Sequence, residues 1–316
     1  MNILAGDIGG TNSRLAIYDV GPRGMQLDIQ QTFPSAEFGS LTEIVSHFLE
    51  QCRATCEVVC LGLPGPVTTD RVIQLTNLPW EVDHERIRKA SGASKVALIN
   101  DVEASAVGVQ ELRTEDVDRL HEGQPDPSGN RAVISVGTGL GVAGLMAGGR
   151  AFATEAGHAT FSPRDDSDFK LLGALEREFG HVSWERVASG PALPRIHAHL
   201  AAEGVPALDA PEIVRRYAED GTCKRAVDTF CRYLGAVAGD IALTLMATGG
   251  VYFCGGVAPR VLDETGADPV LESFFDKGRM RRVLERVPVY LVRDGNLALK
   301  GAAHTALRLV EVSSKT

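Results

Sequence analysis

Ile3-Leu4-Ala5-Gly6-Asp7-Ile8-Gly9-Gly10-Thr11-Asn12-Ser13-Arg14-Leu15-Ala16-Ile17-Tyr18-Asp19 reads as strand, tight turn and returning strand. Two apolar runs enclose a carboxylate, paired glycines and small polar residues. Glycine lets backbone N–H groups approach an anion closely, and a turn of successive amides forms an anion-binding nest. A carboxylate beside such a turn suits Mg²⁺, which takes one or two carboxylates together with phosphate oxygens. The run points to a polyphosphate–Mg²⁺ site. It equally allows an ordinary hairpin whose Gly and Asn supply positive φ.

The pattern recurs in Arg131-Ala132-Val133-Ile134-Ser135-Val136, the turn Gly137-Thr138-Gly139-Leu140-Gly141, and Val142-Ala143-Gly144-Leu145-Met146. Two strand–turn–strand units beginning at residues 3 and 131 suggest an internal duplication. Each domain would then offer one amide-lined turn, and a cleft between them would hold a phosphate chain from both sides. Gly139-x-Gly141-x-x-Gly144 formally matches the dinucleotide fingerprint. However, the residues that follow suit a strand rather than a helix, and Glu155 comes too early to serve the ribose. No Gly-Lys-Ser/Thr occurs, so a Walker loop is excluded.

The 316 residues exceed a typical single domain, and a hydrophobic content of 44% supplies ample core. A net charge of −9 argues against a nucleic-acid partner, which needs a basic face. Phosphate must therefore be neutralised locally. No basic amphipathic stretch points to a membrane surface. The N-terminus lacks a cationic leader followed by an apolar core, so a cytoplasmic protein is expected. Six cysteines stand at 52, 56, 60, 223, 231 and 254. Cys60, in the apolar run Val58-Val59-Cys60-Leu61, reads as a small hydrophobe in a reducing compartment.

Strand and helix patterns alternate throughout, which implies α/β architecture. A helix is expected over 41–55, and a buried strand over 58–63 that runs into Pro64-Gly65-Pro66. A strand over 96–99 delivers Asn100-Asp101 to a helix over 102–112. The polar stretch 116–131, with Gly123, Pro125, Pro127 and Gly129, reads as the link between domains. A long helix over 226–246, strands over 251–257 and 287–292, and a helix over 297–309 complete the chain.

Open α/β sheets bind ligands at the carboxyl ends of their strands, so Asp101 is a placed carboxylate, able to accept the proton of an attacking hydroxyl. Asn100-Asp101 also suits a helix N-cap. Glu155 and His158 follow the second glycine turn closely, and Glu185 stands near a helix start. Paired carboxylates can hold neighbouring hydroxyls of a sugar ring. Glu185 would equally complement a helix dipole, and His158 would equally be a buried, hydrogen-bonded histidine.

Taken together, these motifs resemble a known family. Gly6-Asp7-Ile8-Gly9-Gly10-Thr11-Asn12 resembles the first phosphate motif of sugar kinases in the actin, hexokinase and Hsp70 superfamily. Val136-Gly137-Thr138-Gly139-Leu140-Gly141 is similar to the second, and the run from Gly249 to Val257, with Gly255-Gly256, is similar to the adenosine motif. The resemblance is most specific to the bacterial, non-zinc glucokinases and spans essentially the whole chain. It includes Leu75-Thr76-Asn77-x-x-Trp80, Ile99-Asn100-Asp101, Glu155-x-Gly157-His158 and His181-Val182-Ser183-x-Glu185-Arg186-Val187-x-Ser189-Gly190-Pro191.

That resemblance implies a two-domain actin-like ATPase (ribonuclease-H-like) α/β fold with an interdomain cleft. The small domain would comprise 1–111 plus 294–316 and the large domain 112–293. It implies ATP-dependent phosphorylation of D-glucose at the 6-hydroxyl by a homodimer. Asp101 would be the catalytic base. Asn100, Asp101, Glu155, His158 and Glu185 would bind the sugar. Gly6, Asp7, Ile8, Gly9, Gly10, Thr11, Gly137, Thr138, Gly255 and Gly256 would contact ATP, with Asp7 holding Mg²⁺ through water. Two departures stand out. The sugar loop reads Glu-Ala-Gly-His in place of Glu-Gly-Gly-His, and the zinc-binding Cys-x-Cys-Gly-x-x-Gly-Cys of a related family is missing after His158, so no zinc is expected. A kinase for another hexose and an actin-like nucleotide-binding sugar sensor are the alternatives.

Overall fold

Ile3, Leu4 and Ala5 are buried on both faces, as befits a central strand, and form β1 (Asn2–Ile8). The computed structural model describes residues 1–67, 72–75, 78–202 and 204–313. It divides into two units, Met1–Leu112 with Gly149–Ala153 and Asn296–Thr316, and Arg113–Gly148 with Thr154–Gly295.

In the first unit β1 pairs antiparallel with β2 (Asn12–Gly21), which pairs antiparallel with β3 (Gly24–Pro34). On its other side β1 runs parallel to β4 (Val58–Leu63). β5 (Val72–Gln74) and β6 (Glu81–Asp83) form a separate short ladder. β7 (Lys95–Asn100) lies parallel to β4 and completes the order β3-β2-β1-β4-β7. One face of this sheet is covered by α1 (Leu41–Cys52), whose Leu41, Ile44, Val45 and Phe48 are fully buried, together with Ile87 of α2 (His84–Ser91). Fully burying one such side chain contributes about 1.5–3 kcal/mol. α1 stops at Cys52, short of the expected 55, because Arg53 turns left-handed at φ 51°. α3 (Asp101–Gly108) follows β7 directly and gives way to a 3₁₀ turn over Val109–Glu111.

In the second unit β8 (Val117–His121) precedes the hairpin of β9 (Arg131–Val136) and β10 (Leu140–Leu145), with Leu140 opposite Val136. β11 (Ala151–Thr154) returns the chain to this unit at Thr154. Helices α4 (Asp166–Phe179), α5 (Glu185–Ala188), α6 (Ala192–Leu200), α7 (Ala210–Arg215) and α8 (Gly221–Leu245) follow. α8 begins ahead of the expected 226 because the Asp220 carboxylate caps the Thr222 and Cys223 amides. β12 (Gly250–Cys254) lies parallel to β9, and after α9 (Ala258–Thr265), α10 (Asp268–Phe275) and α11 (Arg281–Leu284), β13 (Val289–Val292) lies parallel to β12. The order among these strands is β10-β9-β12-β13-β8. α12 (Leu297–Ser313) belongs to the first unit, where Leu299, Ala302, Ala303 and Ala306 cover the second face of its sheet against Ile3, Ala5 and Cys60.

Each unit thus repeats one plan: a hairpin whose first strand is followed, in order, by two parallel strands. The stretch 116–131 differs from its expected role as a link. Val117–His121 is an edge strand antiparallel to β13, and Gln124 and Asp126 donate their amides to Arg286 O and Thr248 O at 2.7 and 3.1 Å. An edge strand needs backbone partners and little apolar surface, so its polar sequence resembles that of a loop.

Candidate active site

The carboxyl ends of the parallel strands β1, β4 and β7 carry the first group of expected site residues. The 9–11 turn is tied down by its neighbours. Gly9 donates its amide to Asn12 O at 3.0 Å, the Ser35 hydroxyl donates to Gly9 O at 2.7 Å, and the Ser35 amide donates to Thr11 O at 2.9 Å. No residue of this turn has positive φ. The reading of its glycines as φ > 0 positions is corrected: Gly9 is required because a Cβ there would stand 2.8 Å from Asn12 O. Gly6 is buried within the sheet, where a Cβ would come within 2.5 Å of Leu61 Cδ2 and 2.8 Å of Leu15 Cδ2. Gly6 and the fully buried Ile8 can therefore offer a ligand only backbone. Gly10 and Thr11 are exposed.

Asp7, the last residue but one of β1, stands opposite Arg14, whose Nη1 is 3.5 Å from Asp7 Oδ2. Desolvation pushes the Asp7 carboxyl up from its ordinary range, and the Arg14 charge pulls partly against it. Its side chain keeps 24% exposure. Asn100 is buried and caps α3: Oδ1 accepts from the Val102 and Glu103 amides at 2.9 and 3.0 Å, while Nδ2 donates to Gly65 O at 3.0 Å. Asp101 follows in the first turn, its Oδ1 accepting from the Val102 amide at 2.8 Å. Gly62 of β4 lets this helix start approach the sheet, since a Cβ there would already stand 3.3 Å from Asp101 Cα.

In the second unit three turns converge at the carboxyl ends of β9 and β12. Val136 O accepts from the Val257 amide at 2.9 Å, and Gly137 O accepts from the Gly190 amide at 2.8 Å. Gly255 has φ +89°, and a Cβ there would lie 2.5 Å from Val136 O. Gly137 and Gly256 face open space, and Thr138 stands between Gly137 and Gly139, whose amide and carbonyl bond at 3.0 Å.

Glu185 opens α5 and its Oε2 accepts the Leu140 amide at 3.1 Å. A Cβ on Gly139 would stand 2.7 Å from that same oxygen, and a Cβ on Gly157 would overlap the Leu140 carbonyl. The Glu155-Ala156-Gly157-His158 turn and Glu185 therefore meet on one residue, Leu140. Two backbone bonds of 2.9 Å hold the arrangement, from the Trp184 amide to Ala159 O and from the Phe161 amide to Val182 O. His158 is not a buried histidine: it is 59% exposed, with Nε2 3.7 Å from Glu155 Oε2, and Glu155 is 53% exposed.

The Glucokinase family model matches residues 4–309. A glucokinase of Marinobacter nauticus is 38% identical over 309 residues, spanning 95% of each chain. The chain belongs to the glucokinase family. A glucokinase of Caulobacter vibrioides is 36% identical, covering 95% of this chain and 93% of that protein. Among solved structures, glucokinase from an Antarctic psychrotroph superposes with a TM-score of 0.84 at 33% identity over 97% of this chain and 99% of that one. A hexokinase of the related repressor/open-reading-frame/kinase family from Thermus thermophilus, at 24% identity and a TM-score of 0.71, shares the fold. The fold is the α/β actin-like ATPase fold.

Of the expected residues, Asp7, Asn100 and Asp101 lie in the first unit, and Glu155, His158 and Glu185 in the second. Thr76 and Asn77 of the glucokinase-like Leu75-to-Trp80 segment lie outside the described residues. Ser35, which braces the first turn, and Leu140, which seats the Glu155–His158 turn, were not singled out by sequence. Ser35 stands in no motif, Leu140 stands in the second glycine turn but was not assigned a role there, and each acts through backbone or hydroxyl contacts with residues distant along the chain. Among the described residues, no three His, Cys, Asp or Glu side chains are grouped to hold a metal ion, and no helix is long and apolar enough to cross a membrane.

Proposed function

We propose that this protein transfers the γ-phosphoryl group of ATP to the 6-hydroxyl of D-glucose, yielding glucose 6-phosphate and ADP, the entry step of glycolysis. The observation that carries the reading is Asp101, a carboxylate held at the carboxyl end of a parallel strand with one oxygen braced by the Val102 amide. A base in that position accepts the hydroxyl proton as the oxygen attacks phosphorus, while binding supplies in-line positioning. Full-length similarity to glucokinases supports the choice of sugar and donor.

In this reading the backbone of Gly6 to Thr11, with Gly137, Thr138, Gly255 and Gly256, receives ATP. The sugar hydroxyls are bound by Glu155, His158, Glu185 and the Asn100 amide group, whose Oδ1 is already engaged in the cap. A single partly exposed carboxylate suits Mg²⁺ held through water, and Asp7 is that group. Mg²⁺ there would offset charge on the phosphates. Resemblance to bacterial glucokinases supports a cytoplasmic homodimer, which sedimentation would test.

The experiment is ADP release in a coupled assay with and without glucose, over a panel of hexoses. Glucose-dependent release with the highest kcat/KM for glucose is expected, and ATP hydrolysis indifferent to sugar would reject the kinase. Asp101→Asn should lower kcat by ~10²–10⁴-fold with glucose KM largely retained. Near-normal turnover in that variant would remove Asp101 as the base.

A further inference from the structure

Asp168, in the first turn of α4, is 1% exposed and has no part in the assignments above. Its Oδ2 accepts from Arg232 Nη1 at 2.9 Å and from the Arg164 amide at 3.0 Å, and its Oδ1 accepts from Arg232 Nη2 and, at 2.7 Å, from the Tyr233 hydroxyl. A carboxylate this deeply buried persists only with such a set of donors. Clamping α4 to α8 would need the Arg232 pair alone. The Tyr233 bond does something more: it fixes a ring.

That ring meets the edge of Phe161, centroids 5.0 Å apart at 73°, and Phe161 meets Trp184 at 5.2 Å and 80°. Phe161 and Trp184 stand on the two segments joined by the backbone bonds to Val182 and Ala159. Glu155 and His158 precede Phe161 on one segment, and Glu185 follows Trp184 on the other. The Arg164 amide ties the far end of the sugar loop to the same Asp168 carboxylate. Contacts therefore run from the buried Asp168 carboxylate to the two segments that carry the three side chains assigned to sugar.

We infer that Asp168, Tyr233 and Phe161 are positioning residues for glucose, fixing the Glu155–His158 loop against the Glu185 segment and setting sugar affinity rather than the rate of phosphoryl transfer. The inference rests on the reading of Glu155, His158 and Glu185 as sugar-binding groups. Tyr233→Phe removes only the hydroxyl, and Phe161→Leu keeps apolar bulk while removing the ring. In both variants glucose KM should rise roughly three- to tenfold, with kcat and ATP KM within about twofold of wild type. Amide hydrogen exchange should quicken over 155–161 and stay unchanged over 131–136. Unchanged glucose KM in both variants, whatever happens to Tm, overturns the inference. A wild-type protein without glucose-dependent ADP release overturns the functional reading instead. The exchange measurement then decides the positioning role, and unaltered exchange over 155–161 rejects it.

Discussion

Replacing Gly157 by alanine adds one methyl group where there is no room for it. The new Cβ would lie 3.0 Å from the Leu140 carbonyl carbon and 3.4 Å from its Cβ, and would overlap the carbonyl oxygen. Leu140 cannot retreat, because its amide is held by Glu185 at 3.1 Å and it pairs with Val136 in the β9–β10 hairpin. The Glu155–His158 turn must move instead, by on the order of 1 Å, to restore ordinary contact distances. Overpacking of this kind costs about 1–3 kcal/mol of stability. A displacement near 1 Å at a binding group can lower catalysis ~10²-fold, equivalent to ~2.7 kcal/mol in kcat/KM. We therefore expect Gly157→Ala to lower kcat/KM for glucose by about that factor, mainly through KM, with ATP KM little changed. The assay is coupled ADP release against glucose at saturating ATP, with thermal unfolding alongside. Gly173→Ala is the control: Gly173 lies within α4, a Cβ there meets nothing within 4 Å, and stability should rise by about 0.4–1 kcal/mol with unchanged kinetics. A Gly157→Ala enzyme within about threefold of wild type in kcat/KM would refute the argument.

Asn100→Ala removes the α3 cap and the bond to Gly65 O, so it should lower stability by about 0.5–2 kcal/mol and raise glucose KM; an unaltered Tm would count against the cap. Asp7→Asn should raise the Mg²⁺ concentration needed for half-maximal rate without lowering Tm, because burial already disfavours the ionised Asp7 carboxyl; an unmoved Mg²⁺ dependence would dismiss the metal role. At Asp168 burial pushes the carboxyl up, but hydrogen bonds from Arg232, Tyr233 and the Arg164 amide outweigh it and hold the group below the usual range. Its stabilising contribution is therefore complete above the unfolded aspartate value of about 3.9 and is lost as pH falls through the lower folded value. Asp7 has the opposite sign, and its ionisation opposes folding near neutrality. Urea midpoints of wild type and Asp168→Asn should accordingly converge as pH falls from neutral into the acid range, and a constant gap would reject the depressed titration.

The two glycine hairpins, the buried strand from Val58 to Leu63 and the Asn100 cap were legible because each is written in a short window: a change of period, a glycine pair, an Asn before a helix. The stretch 116–131 was misread because its partner β13 lies far along the chain, and an edge strand carries little apolar signal. The glycines were located correctly but for an incomplete reason. Gly9 is demanded by the Asn12 carbonyl crowding its α-carbon rather than by positive φ, and Gly157 by the Leu140 carbonyl. No rule of turn composition carries that information.

Sequence alone determined the repeated strand–turn–strand plan and supplied the carboxylates at the ends of its strands, since burial period and glycine placement act on neighbours in the chain. Tertiary structure decided that the Glu155–His158 turn and Glu185 meet on Leu140, that His158 faces outward, and that a buried Asp168 braces the rings behind them. Those outcomes depend on which distant amides and carbonyls pair once the chain has closed on itself, a choice made by packing and long-range hydrogen bonding.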